Sequence, residues 1–322
     1  MNIFYNVVQS TMFFTMPLLI VALGGMFSER SGIVNIALEG KMVMGAFAGT
    51  FFIHHFFAPG TIMSGQLLLI IALFLGMLAG MLISLLHAYA AINLKANQII
   101  SGVAINMFAP AFVVYIAQMV IDTQNVHFNN AQFRIASVPL LGRIPLIGPM
   151  FFQGVFVTTL LGFIILIIAA FVLYKTKFGL RLRACGEHPQ AADSVGVSVA
   201  KIRYAGVLIS GALAGIGGVV FIVPISNVFV NGTVSGYGFL ALAVLIFGAW
   251  RPKKILFGAV FFGLMQAISA NFSVIPGLNA LNIHANFFRM MPFIATLIVL
   301  AFSSKNSQAP KAVGQPYDKG GR

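Results

Sequence analysis

Charged residues are scarce in this sequence. Only 8% of its 322 residues are Asp, Glu, Lys or Arg, whereas a soluble domain typically has about 25%. Hydrophobic residues make up 59% of the chain, so a soluble fold could not cover its surface with polar groups. In a bilayer, lipid solvates apolar side chains and the backbone satisfies its own hydrogen bonds, which favours helices. The composition therefore predicts an all-α, polytopic transmembrane helical bundle.

Groups for catalysis or metal binding are also few. The chain has six acids, six histidines and one cysteine, Cys185. No histidine lies in an H-x-x-x-H or H-E-x-x-H pattern. The only Gly-Lys pair, Gly40-Lys41, is followed by Met42, and Asn35 stands where a P-loop needs its first glycine. We therefore expect no catalytic residues, no bound metal or cofactor, and no ATP hydrolysis by this chain.

Nine apolar stretches are candidate membrane helices, which need about 20 residues each. We predict about 8–10 spans in a transmembrane domain over residues 1–303, because the seventh stretch is short and residues 28–41 are too polar for a simple lipid-facing helix. Residues 122–152 should form an ordered loop, and the polar, Gly- and Pro-bearing tail, residues 304–322, should be disordered. The nine stretches are roughly 10–27, 36–57, 65–91, 98–121, 153–174, 205–228, 237–250, 255–272 and 286–303.

Lysine and arginine are distributed unequally between the connecting segments. If the spans alternate in direction, 16 of the 19 basic residues fall on one side, and Arg134, Arg143 and Arg289 fall at or beside the other. The positive-inside rule makes the richer side cytoplasmic. This side includes the C-terminus and the basic loop, which we define as residues 175–203. The net charge of +13 therefore indicates membrane topology rather than nucleic-acid binding.

Two interrupted, glycine-bearing stretches occupy similar places in the two halves of the chain. They are Gly24–Gly45, within residues 11–121, and Gly232–Gly248, within residues 205–303. Such matching interruptions predict inverted repeats around a central pathway. Small residues spaced four apart also let helices approach closely, either within the chain or between subunits. These pairs are Gly45/Gly49, Gly76/Gly80 and Gly211/Gly215.

Two polar clusters are candidates for a solute pathway. Asn35 and Glu39 lie between the first two spans, either in a water-exposed turn or in a broken helix beside a polar cavity. Asn97, Ser101 and Asn106 lie around the fourth span. Their amides and hydroxyl can hydrogen-bond a neutral polar solute, or they can join one helix to another.

The basic loop contains one predicted short helix. Pro189 suits a first helical position and Gly196 suits the C-terminal cap. A short, capped helix in a cytoplasmic loop is either an ordinary structured connection or a rigid contact that transmits force from a soluble partner.

Four segments carry a family resemblance, in this order along residues 11–303: SERSGIVNIALEGKMVMGAFAG, KFGLRLRACGEHPQAADSVGV, GYGFLALAVLIFGAWRP and FFRMMPFIATLIVLAF. They resemble blocks of the permease subunits of nucleoside-type (simple sugar/nucleoside) ABC importers, in the branched-chain amino acid/ribose permease superfamily. The resemblance implies a multi-pass permease of the cytoplasmic membrane that translocates nucleosides or related ribosides. A simple-sugar, ribose-like importer is the close alternative. An ion-coupled secondary transporter is a third possibility, with Glu39 as its only candidate coupling acid.

The resemblance also implies partners. They are an ABC ATP-binding subunit, which would bind the ATP, a second permease subunit in a hetero- or homodimer, and an extracytoplasmic solute-binding lipoprotein. Membrane lipid would surround the chain, and no nucleic acid would bind. By the same likeness, Asn35 and Glu39 lie near the translocation path. The ATPase-coupling residues that the resemblance implies are Glu187, His188, Pro189, Gln190, Ala191, Ala192, Asp193 and Gly196.

Overall fold

The computed structural model describes residues 2–56, 65–139, 141–145, 147–230, 233–275, 285–303 and 309–318. Within these ranges the fold is almost entirely helical, which confirms the predicted class. The helices are α1 (Asn2–Arg30), α2 (Leu38–Phe56), α3 (Gly65–Ala88), α4 (Gln98–Ile121), α5 (Ile147–Phe151), α6 (Val157–Lys175), α7 (Lys177–Glu187), α8 (Pro189–Ser194), α9 (Val199–Ile225), α10 (Tyr237–Phe247), α11 (Pro252–Asn271) and α12 (Ala285–Ser303). The strands are β1 (Val126–His127), β2 (Arg134–Ser137), β3 (Gln153–Phe156) and β4 (Val228–Phe229).

Each predicted span coincides with one helix. In the part of the chain that the structure describes, six helices are long and apolar enough to cross a membrane: α1, α3, α4, α6, α9 and α11. The other three helices that coincide with predicted spans are α2, α10 and α12. Helix α2 carries Glu39 and Lys41 in its first turns, and α10 has only 11 residues. The short seventh stretch is therefore an incomplete span, as its length predicted.

Helix α9 lies at the centre of the bundle, against α1, α2 and α3. Gly217 of α9 lies against Val21 of α1, and Gly206 lies against Phe27. The later residue of α9 lies against the earlier residue of α1, so the two helices are antiparallel.

The predicted glycine pairs lie where α2, α3 and α9 cross. A methyl group at Gly215 would meet the carbonyl oxygen of Gly76, and one at Gly80 would meet that of Gly211. One at Gly45 would meet the Cα atom of Gly215. Backbones this close leave no room for a side chain. The pairs therefore serve packing inside the chain.

Helices α1–α4 and helices α9–α12 pack in corresponding ways. Helix α1 contacts α10 and α11, as α9 contacts α2 and α3. Helix α2 contacts α3 and α4, as α10 contacts α11 and α12. Because α1 and α9 run in opposite directions, α1–α4 and α9–α12 form the two halves of an inverted repeat. The interruptions fall at residues 31–37 and before α10.

Two small antiparallel sheets form that the sequence did not predict: β1 and β2 lie in the predicted loop 122–152, β3 lies at the start of the predicted span 153–174, and β4 lies at the end of the predicted span 205–228. β1 pairs with β4, so that Val126 lies opposite Phe229, and β2 pairs with β3, so that Ile135 lies opposite Val155. The β1–β4 pair joins segments about a hundred residues apart. A strand of two residues has no sequence pattern that predicts its pairing, because the two strands come together only when the bundle has folded.

The basic loop holds two helices, α7 and α8, of which only α8 was predicted. Pro189 occupies the first turn of α8, and Gly196 follows it with a φ of +82°, as the pattern indicated. Thr176 caps α7 by accepting from the backbone N–H of Gly179 at 3.1 Å. We call the side of the bundle that carries this loop the basic face.

The tail differs from its prediction. Residues 309–318 pack on the basic face instead of being disordered. The backbone N–H of Ala312 donates to the carbonyl of Gly186 at 2.9 Å, and that of Gly314 donates to Gly32 at 3.2 Å. Both carbonyls lie at or just beyond the ends of helices, where the helix provides no partner for them. Composition suggested disorder because it does not show these acceptors. The remaining predicted tail residues lie outside the described ranges.

Candidate functional site

The connection between α1 and α2 is buried. Ser28, Ser31 and Asn35 have no exposed surface. The Ser28 hydroxyl donates to the carbonyl of Ile33 at 2.9 Å, and the Ser31 hydroxyl donates to that of Ser28 at 2.6 Å. Gly32 has a φ of +99°, which glycine adopts without strain. These contacts end α1 inside the protein and turn the chain toward α2.

The charged residues of this segment are buried as well. Glu29 is 7% exposed, Glu39 is 8% exposed and Lys41 is fully buried. The water-exposed turn is therefore wrong, and the broken helix describes residues 28–41.

Asn35 lies in the break and makes buried polar contacts with α9 and α2. Its Nδ2 donates to the hydroxyl of Ser210 in α9 at 2.5 Å. Its Oδ1 accepts from Nζ of Lys41 in α2 at 2.7 Å. Among the described residues no carboxylate forms an ion pair with Lys41. Polar groups at this depth are costly, and they usually mark a functional pathway.

Asn106 of α4 hydrogen-bonds the backbone at the start of α2. Its Oδ1 accepts from the backbone N–H of Gly40 at 2.8 Å, and its Nδ2 donates to the carbonyl of Ile36 at 2.8 Å. Gln98 of α4 accepts from the backbone N–H of Val34 at 2.8 Å. These side chains replace the hydrogen bonds that a continuous helix would have made.

Glu39 joins the two interrupted segments. Its carboxylate accepts from the backbone N–H groups of Gly236 at 2.9 Å and Gly238 at 2.6 Å, at the start of α10. A helix N-terminus favours a carboxylate because its free N–H groups and its dipole both point at the anion. At the other end of α10, Glu29 accepts from Nε1 of Trp250 at 2.6 Å. Two acids near the break thus hold both ends of α10.

The other two candidates around α4, Ser101 and Asn97, lie in different places. The hydroxyl of Ser101 lies 3.0 Å from Nδ1 of His87, whose Nε2 lies 3.0 Å from the carbonyl of Val34. Because a carbonyl only accepts, Nε2 carries a proton, and in the neutral imidazole Nδ1 then accepts from Ser101. Asn97 is exposed and caps α4, accepting from the backbone N–H of Ile99 at 2.9 Å. Ser101 therefore adjoins the break, and Asn97 lies apart from it.

Three residues of the cluster were not among the sequence candidates: Lys41, His87 and Ser210. In the sequence, Lys41 is one of the basic residues of the connecting segments, and His87 is one of the six histidines that lie in no metal-binding pattern. Ser210 lies in an apolar span and carries no signal of its own. The one sequence feature that could have identified Lys41 and His87 is that each lies within an apolar stretch, where charged and titratable residues are rare.

Helix α8 has an inner and an outer side. Pro189 and Ala192 are buried, and Ala192 packs with Cys185 and Val199. Val195, which the resemblance did not single out, is 78% exposed. Burial raises the pKa of the Cys185 thiol, so it stays protonated and serves packing. The exposed residues of the candidate coupling set are His188, Gln190, Ala191 and Gly196.

The other two coupling candidates are tied to the protein. Glu187 Oε1 lies 3.6 Å from Nη1 of Arg30, at the end of α1. Asp193 hydrogen-bonds with the hydroxyl of Tyr317 in the tail. Tyr317 in turn lies under the guanidinium of Arg203, whose carbon is 5.9 Å from the ring centroid. The end of α7 is therefore held against α1, and α8 is held against α9 and the tail.

Comparison with known proteins agrees with this architecture. Residues 7–300 match the family model described as branched-chain amino acid transport system / permease component. The chain is 42% identical over 316 residues to the guanosine ABC transporter permease protein NupQ of Bacillus subtilis (strain 168), covering 98% of this chain and 97% of the relative. It is 40% identical over 318 residues to the nucleoside ABC transporter permease protein NupC of Lactococcus lactis subsp. cremoris (strain MG1363), covering 99% and 98%.

A more distant relative is the glucose ABC transporter permease protein TsgB13 of Haloferax volcanii, at 23% identity over 312 residues, covering 95% of this chain and 78% of the relative. No solved structure matches the chain. The family match covers nearly all of the helical bundle, including both interrupted segments and the basic loop. This chain is therefore a multi-pass membrane protein that belongs to the permease component family of branched-chain amino acid transport systems.

Proposed function

We propose that this chain is the membrane-spanning permease subunit of an ABC importer that translocates nucleosides or related ribosides. The observation that carries the proposal is the full-length similarity to two permeases named for guanosine and nucleoside transport. The buried polar break supports it, because amide and hydroxyl groups suit a neutral, hydrogen-bonding solute.

Three kinds of partner complete the proposed importer. A separate ABC subunit binds and hydrolyses ATP, and an extracytoplasmic lipoprotein delivers the solute. A second permease subunit, identical or different, completes the membrane part. The basic face, with the C-terminus, lies in the cytoplasm by the positive-inside rule.

Force from the ATPase reaches the break through α8. In this proposal the ATPase contacts the outer side of α8 at Gln190, Ala191 and Val195. The inner side packs against Cys185 and Val199, so a displacement of α8 moves the start of α9.

Helix α9 also contacts the break, because Ser210 accepts the hydrogen bond of Asn35. A shift of α9 therefore changes the polar contacts among α1, α2 and α4. The pathway residues in this proposal are Asn35, Glu39, Ser101 and Asn106. Asn97 takes part only as the cap of α4, because its side-chain oxygen is occupied there.

Uptake of labelled guanosine tests the solute and the energy source together. The complete complex, in proteoliposomes loaded with ATP at the ATPase side, should accumulate guanosine, and complexes without ATP should not. Excess adenosine or uridine should compete, whereas ribose and glucose should not. Competition by glucose alone would support the sugar alternative that the TsgB13 relative raises. Concentrative uptake by this chain alone, without the ATPase, would contradict the importer.

Variants on the outer side of α8 test the coupling contact. Val195→Asp and Ala191→Arg should abolish ATP-driven uptake and reduce co-purification of the ATPase, because both side chains point away from the protein. Gln124→Ala, exposed on the opposite side of the bundle, is the matched control and should behave as the wild type. Normal coupling in both α8 variants would remove α8 from the contact.

A further inference from the structure

A charged cavity lies on the basic face beside the basic loop. Its volume is about 480 Å³, and it is formed by the end of α1, the end of α7, the start of α11 and the tail. We call it the rim cavity. Its charged lining residues are Arg30, Glu187, Arg251, Lys254 and Lys311.

The charges in the rim cavity do not balance. Among the described residues, Glu187 is the only acid in the lining, and its carboxylate is shared by Arg30 at 3.6 Å and the backbone N–H of Lys311 at 3.4 Å. Within the described part of the chain, no carboxylate forms an ion pair with Arg251, Lys254 or Lys311. Four cations thus face one carboxylate in a concave space, which leaves three positive charges uncompensated.

The cations come from three separate parts of the fold. Arg30 ends α1, Arg251 and Lys254 flank the start of α11, and Lys311 belongs to the tail. Arg30 is held in place because Nε and Nη2 donate to the carbonyl of Trp250 at 3.3 and 3.2 Å. Its side chain is 17% exposed, so its guanidinium forms a fixed part of the wall.

We propose that the rim cavity binds a phosphate group, supplied by the headgroup of an anionic phospholipid. The excess positive charge of two arginines and two lysines attracts an anionic phosphate, and guanidinium groups match the geometry of its oxygens. The volume lies within the range of ligand pockets. Basic cavities between helix ends on the cytoplasmic side are suited to anionic headgroups, and this cavity lies where α1, α7 and α11 reach that side.

A lipid fits the cavity better than an acidic protein surface does. Arg30 in the wall of the cavity is only 17% exposed, so a compact phosphate reaches it more readily than a folded partner does. The exposed outer side of α8, where a protein partner has room, does not line the cavity.

Binding to the purified chain in nanodiscs tests the proposal. Nanodiscs of phosphatidylcholine carry a trace of fluorescent phosphatidylglycerol, and energy transfer from Trp250 reports its proximity. The variant Arg251→Ala/Lys254→Ala/Lys311→Ala should weaken the signal by about tenfold or more, because each basic residue contributes to headgroup attraction. The control Lys175→Ala/Lys177→Ala/Lys201→Ala removes three exposed lysines of the basic loop that do not line the cavity, and it should bind as the wild type does.

The other results each overturn the proposal. Equal loss in both triple variants would mean general surface attraction. Displacement of the lipid by millimolar inorganic phosphate or ATP, with equal signal from phosphatidylcholine probes, would assign the phosphate to a soluble source. Unchanged lipid binding with lost ATPase co-purification would make the cavity a protein contact. None of these readings requires solute uptake, so they are independent of the proposed transport function.

Discussion

At the scale of single residues, Glu29 and Trp250 hold the end of α1 to the chain after α10. Trp250 is the only tryptophan, so its fluorescence reports this contact. Glu29→Gln replaces the carboxyl group that accepts from Nε1 of Trp250 with a weaker amide acceptor, and it should lower the free energy of unfolding by about 1–2 kcal/mol. The Trp250 emission maximum should shift, and the thermal midpoint in detergent should fall. Asp122→Asn, an exposed acid at the other end of the bundle, is the control. An unchanged emission in Glu29→Gln would contradict the assigned contact.

Asn106 is a second residue whose role can be measured directly. Asn106→Leu leaves the N–H of Gly40 and the carbonyl of Ile36 without their partner, and each unsatisfied group costs about 1–3 kcal/mol. Asn97→Leu removes only an exposed cap, which is worth about 0.5–2 kcal/mol. Thermal unfolding in detergent should therefore rank Asn106→Leu as the less stable variant. A lower thermal midpoint for Asn97→Leu than for Asn106→Leu would mean that Asn106 does not hold the backbone of Ile36 and Gly40.

The candidate site was partly visible in the sequence at this scale. Asn35, Glu39 and Asn106 stood out because amides and acids are rare in apolar spans. Their partners did not, because Ser210 is 175 positions from Asn35 and Gly236 is 197 positions from Glu39. Which polar groups meet depends on helix packing, and no local pattern contains that information.

At the scale of elements, the crossing of α2, α3 and α9 depends on the absence of side chains. Gly215→Ala places a methyl group against the carbonyl of Gly76 and should cost about 1–3 kcal/mol, because two backbones must separate. Ala104→Leu, on an exposed side of α4, should leave stability nearly unchanged. The measurement is the midpoint of heat-induced loss of the monodisperse peak in size-exclusion chromatography. Equal midpoints for Gly215→Ala and Ala104→Leu would show that the crossing accommodates a methyl group at Gly215.

Helices were easier to predict than their ends or their connections. Long apolar runs located α3 and α4 closely, because the bilayer sets the length of a span. The strands and α7 were missed, because strand pairing and the docking of a polar helix depend on distant segments. The tail was misjudged for the same reason.

At the scale of the whole molecule, the direction of the bundle can be tested by labelling. In a Cys185→Ala background, Gln124→Cys should react with a membrane-impermeant maleimide on intact cells. Val195→Cys should react only after permeabilisation, because the basic face is expected in the cytoplasm. Both positions are exposed, so accessibility alone does not separate them. Labelling of Val195→Cys on intact cells would reverse the topology.

The membrane class, the approximate spans, the short helix at Pro189 and the uneven placement of basic residues can all be read from the amino-acid sequence. Those properties follow from composition, apolar length and local caps, which act over a few turns of chain. The burial of the segment 28–41, the contact of Glu39 with the start of α10 and the part of the tail in the rim cavity become visible only in the folded protein. Each of these depends on burial and hydrogen bonds between segments far apart in the chain, which exist only once the helices have packed.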